Sequence, residues 1–148
     1  MKKLLLITAI IFSINSYSQL KVVENEPTEE IGKITNMNEL VIEAKKQGET
    51  YIFNYKDEKF MHIDEYKTFF LQGKEDFESL YTIILDNMDK QPDEPIMLEL
   101  EEGYLFLKFG KTFGSPYVNI GHVLDQNGDV VGFTQWLNKR KLDKLFGK

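Results

Sequence analysis

The sequence predicts an α+β fold: an antiparallel sheet of six to seven strands, built as a meander and hairpins, with one long helix and a short C-terminal helix. Three observations carry this reading. Several short runs alternate apolar and polar residues with period two. One stretch, Phe77 to Met88, keeps the helical period. The elements then follow as a strand group, a helix, four strands and a helix, an order that suits an antiparallel sheet with helices laid on one face.

Two segments of different character precede the strands. Met1-Lys2-Lys3, the largely apolar Leu4–Ile14, and Ser16 and Ser18 ahead of Gln19 have the layout of a secretory signal peptide over residues 1–18. Its eleven-residue centre is too short to span a bilayer, which takes about 20 residues. The chain has no cysteine, which removes a lipid-anchored product, a disulfide framework and thiolate metal sites from consideration. The expected product is a periplasmic or secreted protein, not a lipoprotein, with no membrane insertion after cleavage. Residues 19–30 carry Glu24, Glu26, Pro27, Glu29 and Glu30 and read as a flexible acidic leader. Residues 31–148 read as a single α+β domain, long enough to bury roughly two-thirds of its unfolded surface.

Within that domain, Leu40–Lys46 fits two patterns. Met37, Leu40, Val41 and Ala44 make a helical stripe, whereas the β-branched pair Val41-Ile42 and the turn at Gly48-Glu49 favour a hairpin strand, and the balance tips to the strand. Tyr51, Phe53 and Tyr55 alternate along the next strand, and Lys56–Lys59 turns the chain towards Phe60–Phe70. Phe77, Leu80, Tyr81, Ile84 and Met88 define the long helix, with Glu75 and Asp76 in its first turn and Pro92 beyond its end. A second hairpin follows from Ile96, Leu98 and Leu100 against Leu105, Leu107 and Phe109 about Glu102-Gly103, and a third from Val118–Leu124 and Val130–Leu137 about Asn127-Gly128. Asn138 caps the final helix, Leu137 and Leu142 form a hydrophobic staple, and Leu142, Leu145 and Phe146 make the buried stripe.

Charge narrows the partners. The chain carries −6 overall and −8 once Lys2 and Lys3 leave with the signal segment, so its net field repels polyanions. Of its 18 basic residues only Arg140 is an arginine, and bidentate recognition of phosphate or guanine is arginine's geometry. Nucleic acid is therefore not an expected partner.

Motif matches fail on inspection. Gly110-Lys111-Thr112 copies the end of a phosphate-binding loop, but Leu105 stands where the first glycine is required. Asp125–Asp129 opens like a calcium loop, yet glycine falls at the fourth position and Trp136 at the twelfth. Glu99 and Glu101 would share a strand face, as carboxylates on a solvated face commonly do. His62 and Asp64 would share another, and with His122 on a neighbouring strand they would make a two-histidine, one-carboxylate set for a metal-dependent or hydrolytic enzyme.

Aromatic residues give the stronger lead. If Leu105, Leu107 and Phe109 face the core, Tyr104 and Phe106 face away from it, and Tyr51, Phe53 and Tyr55 form a second aromatic row. These observations imply a non-enzymatic binding or interaction protein that engages a protein or a small apolar or carbohydrate ligand through an aromatic sheet face. The alternative is the enzyme built on His62, Asp64 and His122. No cofactor or metal is expected in the binding reading, and self-association remains open.

Overall fold

The computed structural model describes residues 26–60, 62–124 and 130–148. The expected signal segment, the first part of the leader and the Asn127-Gly128 turn lie outside the described residues. Nine strands and two α-helices are seen among the described residues: β1 (Thr28–Asn36), β2 (Glu39–Gln47), β3 (Thr50–Lys56), β4 (Tyr66–Gln72), α1 (Gly73–Met88), β5 (Ile96–Glu99), β6 (Tyr104–Thr112), β7 (Ser115–Val123), β8 (Val130–Phe133), β9 (Leu137–Asn138) and α2 (Lys139–Leu145). A single 3₁₀ turn, Glu58–Phe60, separates β3 from β4.

The strands form two antiparallel sheets, not the one expected. Sheet A runs β1-β2-β3-β4, and sheet B runs β5-β6-β7-β8 with β9 paired to β7. The physical cause is α1, which occupies the connection from β4 to β5, so β4 ends one sheet and β5 begins another. Two strands raise the count: β1, which takes in leader residues Thr28–Glu30 and continues to Asn36, and β9, separate from β8 within the expected Val130–Leu137 run. Gly110–Thr112 lengthens β6 into a tight hairpin with β7, where Thr112 pairs with Ser115. Phe113 and Gly114 make that turn with φ of 49° and 80°, both positive as a two-residue hairpin of the primed type requires. Leu40–Lys46 is strand, within β2.

Both sheets and both helices meet in one apolar core. Tyr51 stacks on Phe77 of α1 at 4.3 Å between ring centroids, Phe53 on Phe69 at 4.8 Å, and Phe146, just after α2, lies 4.8 Å from Phe77. α1 buries Phe77, Leu80, Ile84 and Met88, the face its spacing announces, and each such side chain contributes about 1.5–3 kcal/mol relative to exposure. α2 begins where Asn138 accepts a hydrogen bond from Lys141 N–H at 2.9 Å, and Leu137 and Leu142 beside it are fully buried. Tyr81 of α1 donates to Asp143 of α2 at 2.7 Å, joining the helices. At Gly32 of β1 an added Cβ would lie 2.1 Å from the Lys144 carbonyl oxygen, so the helix end rests directly on the strand.

Candidate functional site

The connection that splits the sheets also opens a cleft. β4 lies at one edge of sheet A, β5 at one edge of sheet B, and both line a cleft of about 400 Å³ together with α1. Its apolar wall comes from Leu80, Ile83, Leu98, Leu100 and Leu105, and its acidic rim from Asp76, Glu99 and Glu101. A second cleft of about 320 Å³ shares Phe70, Gln72 and Glu101 with the first, and adds Glu102, His122 and Leu124. The two make one groove. Phe70 is 47% exposed and Leu124 62% exposed, so large apolar side chains stand open to solvent along it.

Among the described residues no lysine or arginine lines either cleft. Six lysines are engaged elsewhere: Lys33 and Lys45 with Glu43, Lys56 with Glu39 and Asp64, Lys67 with Glu65, Lys139 with Asp143 and Lys148 with Glu78. Among the described residues no ion pair engages Asp76, Glu99, Glu101 or Glu102. Glu43 shows the contrast. Buried on the outer face of sheet A, its carboxyl is desolvated, but hydrogen bonds from Lys45 and Asn54 outweigh that and hold it below the usual carboxylate range. The groove carboxylates lack such neighbours.

His122 forms part of the second cleft's wall while being 8% exposed. Its Nδ1 has no hydrogen-bond partner among the described residues, and its ring meets Phe69 edge-on at 6.0 Å. Burial pushes the imidazole pKa below its ordinary 6.5, which favours the neutral ring. The Tyr55 hydroxyl is likewise buried and unpartnered, and its ring packs on the same Phe69 at 6.1 Å.

The residues singled out from sequence are placed differently from expectation. Tyr51, Phe53 and Tyr55 are 5%, 0% and 0% exposed; their face is the core, closed by Phe77, Phe69 and Phe146, and cannot receive a partner. Tyr104 and Phe106 do point away from Leu105 and Leu107, yet both are half-buried. Beside Phe106 the cover comes from within sheet B, where Gly121 pairs with both Phe106 and Phe133. A Cβ at Gly121 would sit 2.6 Å from the Phe133 ring and 3.4 Å from Phe106 Cβ, so Phe133 fills the space over the glycine.

His62, Asp64 and His122 are not brought together. Residues 62–64 form a turn and not a strand, both side chains are exposed, and His122 is buried in β7. Among the described residues no group of three or more His, Asp or Glu side chains could hold a metal ion. Glu99 ends β5 and Glu101 lies in the following turn, so the two share no strand face, although both line the cleft. Gly110–Thr112 is strand leading into a two-residue turn and then β7, with no helix to receive a phosphate. Asp125–Asp129 lies outside the described residues.

The groove itself escaped the sequence reading. Its one local signal is the acidic run Glu99, Glu101 and Glu102 at the tip of a hairpin whose other face is apolar, and an acidic turn reads as solvated unless the opposite wall is known. Among the described residues no helix is long and apolar enough to cross a membrane. No protein-family model matches this chain, and no curated protein and no solved structure resembles it significantly.

Proposed function

We propose that this chain is an exported, non-enzymatic binding protein whose ligand enters the groove between β4, α1 and β5. One observation carries the reading: an apolar wall of Leu80, Ile83, Leu98, Leu100 and Leu105 is rimmed by Asp76, Glu99 and Glu101, with no basic residue lining it among the described residues. Ligand sites are commonly concave, mainly apolar and fitted with a few polar groups that orient the guest. Here the polar groups are all anionic or uncharged, so a guest with an apolar body and a positive end gains both burial and attraction. The sheet face carrying Tyr104 and Phe106 is the lesser surface, because its rings are already half-covered by their own sheet.

Titration of ¹⁵N-labelled protein with hexylammonium, and with hexanoate as the charge-reversed control, tests this. The ammonium should shift amide signals of Ile83, Leu98 and Glu101, and the carboxylate should not. Shifts that map outside the groove, or equal effects from both ions, would overturn the reading. Export is checked separately by intact mass in a secreting host: the expected product starts at Gln19, and retention of residues 1–18 would contradict it.

A further inference from the structure

Resting on that reading, we infer that the groove accepts a basic peptide segment in extended form, which adds as a strand between the free edges of β4 and β5. Backbone phase supports the geometry on both walls. In β4, Gly73 N–H donates to the Glu49 carbonyl at 2.8 Å, and Glu49 and Gly73 continue the β3–β4 register in which Tyr51 faces Leu71 and Phe53 faces Phe69. Hydrogen-bonded pairs in an antiparallel ladder recur every second residue. Residues 67, 69 and 71 therefore spend their backbone groups on β3, while Thr68 and Phe70 direct theirs to the open side; Gln72 directs only its N–H there, because its carbonyl, at the N-cap of α1, serves the helix.

The same reasoning fixes β5. Leu100 N–H donates to the Gly103 carbonyl at 2.9 Å, which continues the register of Leu98 with Leu105 and Ile96 with Leu107. The backbone groups of Met97 and Glu99 then point away from β6. Two rows of donors and acceptors that no described residue uses thus border one groove, an arrangement that an added strand satisfies through its main chain.

Charge selects the occupant. Asp76, Glu99, Glu101 and Glu102 have no ion-pair partners among the described residues, and no basic side chain lines the groove. A second feature at the site also points to a ligand: His122, more than nine-tenths buried, lines the groove, and its Nδ1 has no partner among the described residues. The side chains of an added strand would alternate, apolar ones towards Leu98, Leu100 and Leu105 and lysines towards the acidic rim.

The test uses a blocked peptide of about eight residues alternating lysine with valine, the same peptide N-methylated at alternate amides, and a glutamate-for-lysine version. Binding is followed by calorimetry and by amide exchange. The lysine peptide should bind and protect the amides of Thr68, Phe70, Met97 and Glu99. N-methylation should weaken it about tenfold or more, since several backbone hydrogen bonds are lost at once, and the glutamate version should not bind. Phe70→Pro removes one outward N–H without touching the β3–β4 ladder, and Phe70→Ala controls for the lost ring; the proline variant should bind more weakly than the alanine variant. If methylated and unmethylated peptides bind alike, strand addition is wrong and the groove reading stands. If neither peptide shifts groove signals while hexylammonium does, the basic-strand occupant is wrong and the groove reading again stands. If hexylammonium also fails, both fall.

Discussion

The Asp57 carboxylate accepts a hydrogen bond from the Phe133 backbone N–H at 3.2 Å, and this bond links the loop after β3 in sheet A to β8 in sheet B. The same oxygen accepts from Lys59 N–H at 3.1 Å. Asp57 is 2% exposed, and a Cβ at Gly132 would lie 2.8 Å from its other oxygen, so β8 approaches the carboxylate as closely as a glycine permits. Nearby, Asn119 of β7 donates to Glu58 at 3.3 Å. The two sheets are therefore joined by polar contacts at this end and by the aromatic core at the centre, and the groove opens between β4 and β5.

Asp57→Ala removes the acceptor shared by two backbone donors, Phe133 N–H, which is half-buried, and Lys59 N–H, whose residue is exposed and can turn to water. A buried unsatisfied group costs about 1–3 kcal/mol, so a loss of about 1–3 kcal/mol, mainly from the Phe133 side, is expected in denaturant melts. Asp57→Asn keeps a carbonyl oxygen at the same place and should lose clearly less. Equal losses for both substitutions would show that the charge, and not the acceptor, ties the sheets.

Gly32→Ala and Gly121→Ala both place a methyl group where none fits, but against different neighbours. At Gly32 the obstacle is backbone, the Lys144 and Leu145 carbonyl oxygens at 2.1 and 2.4 Å, and relief requires moving α2. At Gly121 the obstacle is mainly the Phe133 ring, which can swing outward. Overpacking typically costs about 1–3 kcal/mol. Gly121→Ala should fall within that range and Gly32→Ala above it, as chemical denaturation would read out. In a Phe133→Ala background the cost of Gly121→Ala should shrink; an unchanged cost would mean that the ring is not what fills the space.

Asn138→Ala should cost about 1 kcal/mol, the usual price of an N-cap side chain, because it removes the acceptor for Lys141 N–H. Leu142→Ala, one turn on and fully buried, should cost about 2–5 kcal/mol. Helix content measured by circular dichroism should fall little in the first variant, and a larger loss there than in the second would reverse the expected ranking of cap and core.

What the sequence disclosed is what nearest neighbours along the chain decide. The spacing of Phe77, Leu80, Ile84 and Met88, the Asn138 cap and the alternation on either side of Gly103 are local signals, and each has its element in the structure. The division into two sheets depends on where α1 lies between strands, which no local pattern encodes. Phe113 hid the β6–β7 turn, since a bulky residue at positive φ has no propensity to announce it. Tyr51, Phe53 and Tyr55 alternate whether their face is open or covered; Phe77 and Phe146, remote in sequence, cover it. The groove is harder still, because its walls are Phe70–Gln72 and Leu98–Glu101, acidic or ordinary strand residues that acquire meaning only by facing each other.

His122 gives the fold a dependence on acidity whose sign follows from its burial. The folded imidazole has a pKa below 6.5, the value taken for the unfolded chain. Above that value both states hold the ring neutral and it contributes nothing. As the pH falls through 6.5 the unfolded chain takes up a proton that the folded protein resists, so stability declines, with a slope of at most about 1.4 kcal/mol per pH unit from this one group, until the folded pKa is reached. Glu58 works in the opposite direction: burial raises its pKa above 4.5, so protonating it at lower pH relieves a cost present at neutrality. Denaturant melts between pH 7.5 and 5.5, at roughly half-unit steps, should therefore show a decline in the native protein that His122→Gln largely removes, because glutamine does not titrate. A decline that persists unchanged in His122→Gln would assign it to other groups; because Glu58 acts equally in both proteins, a stability difference between them that does not grow on acidification through this range would contradict a neutral, buried His122.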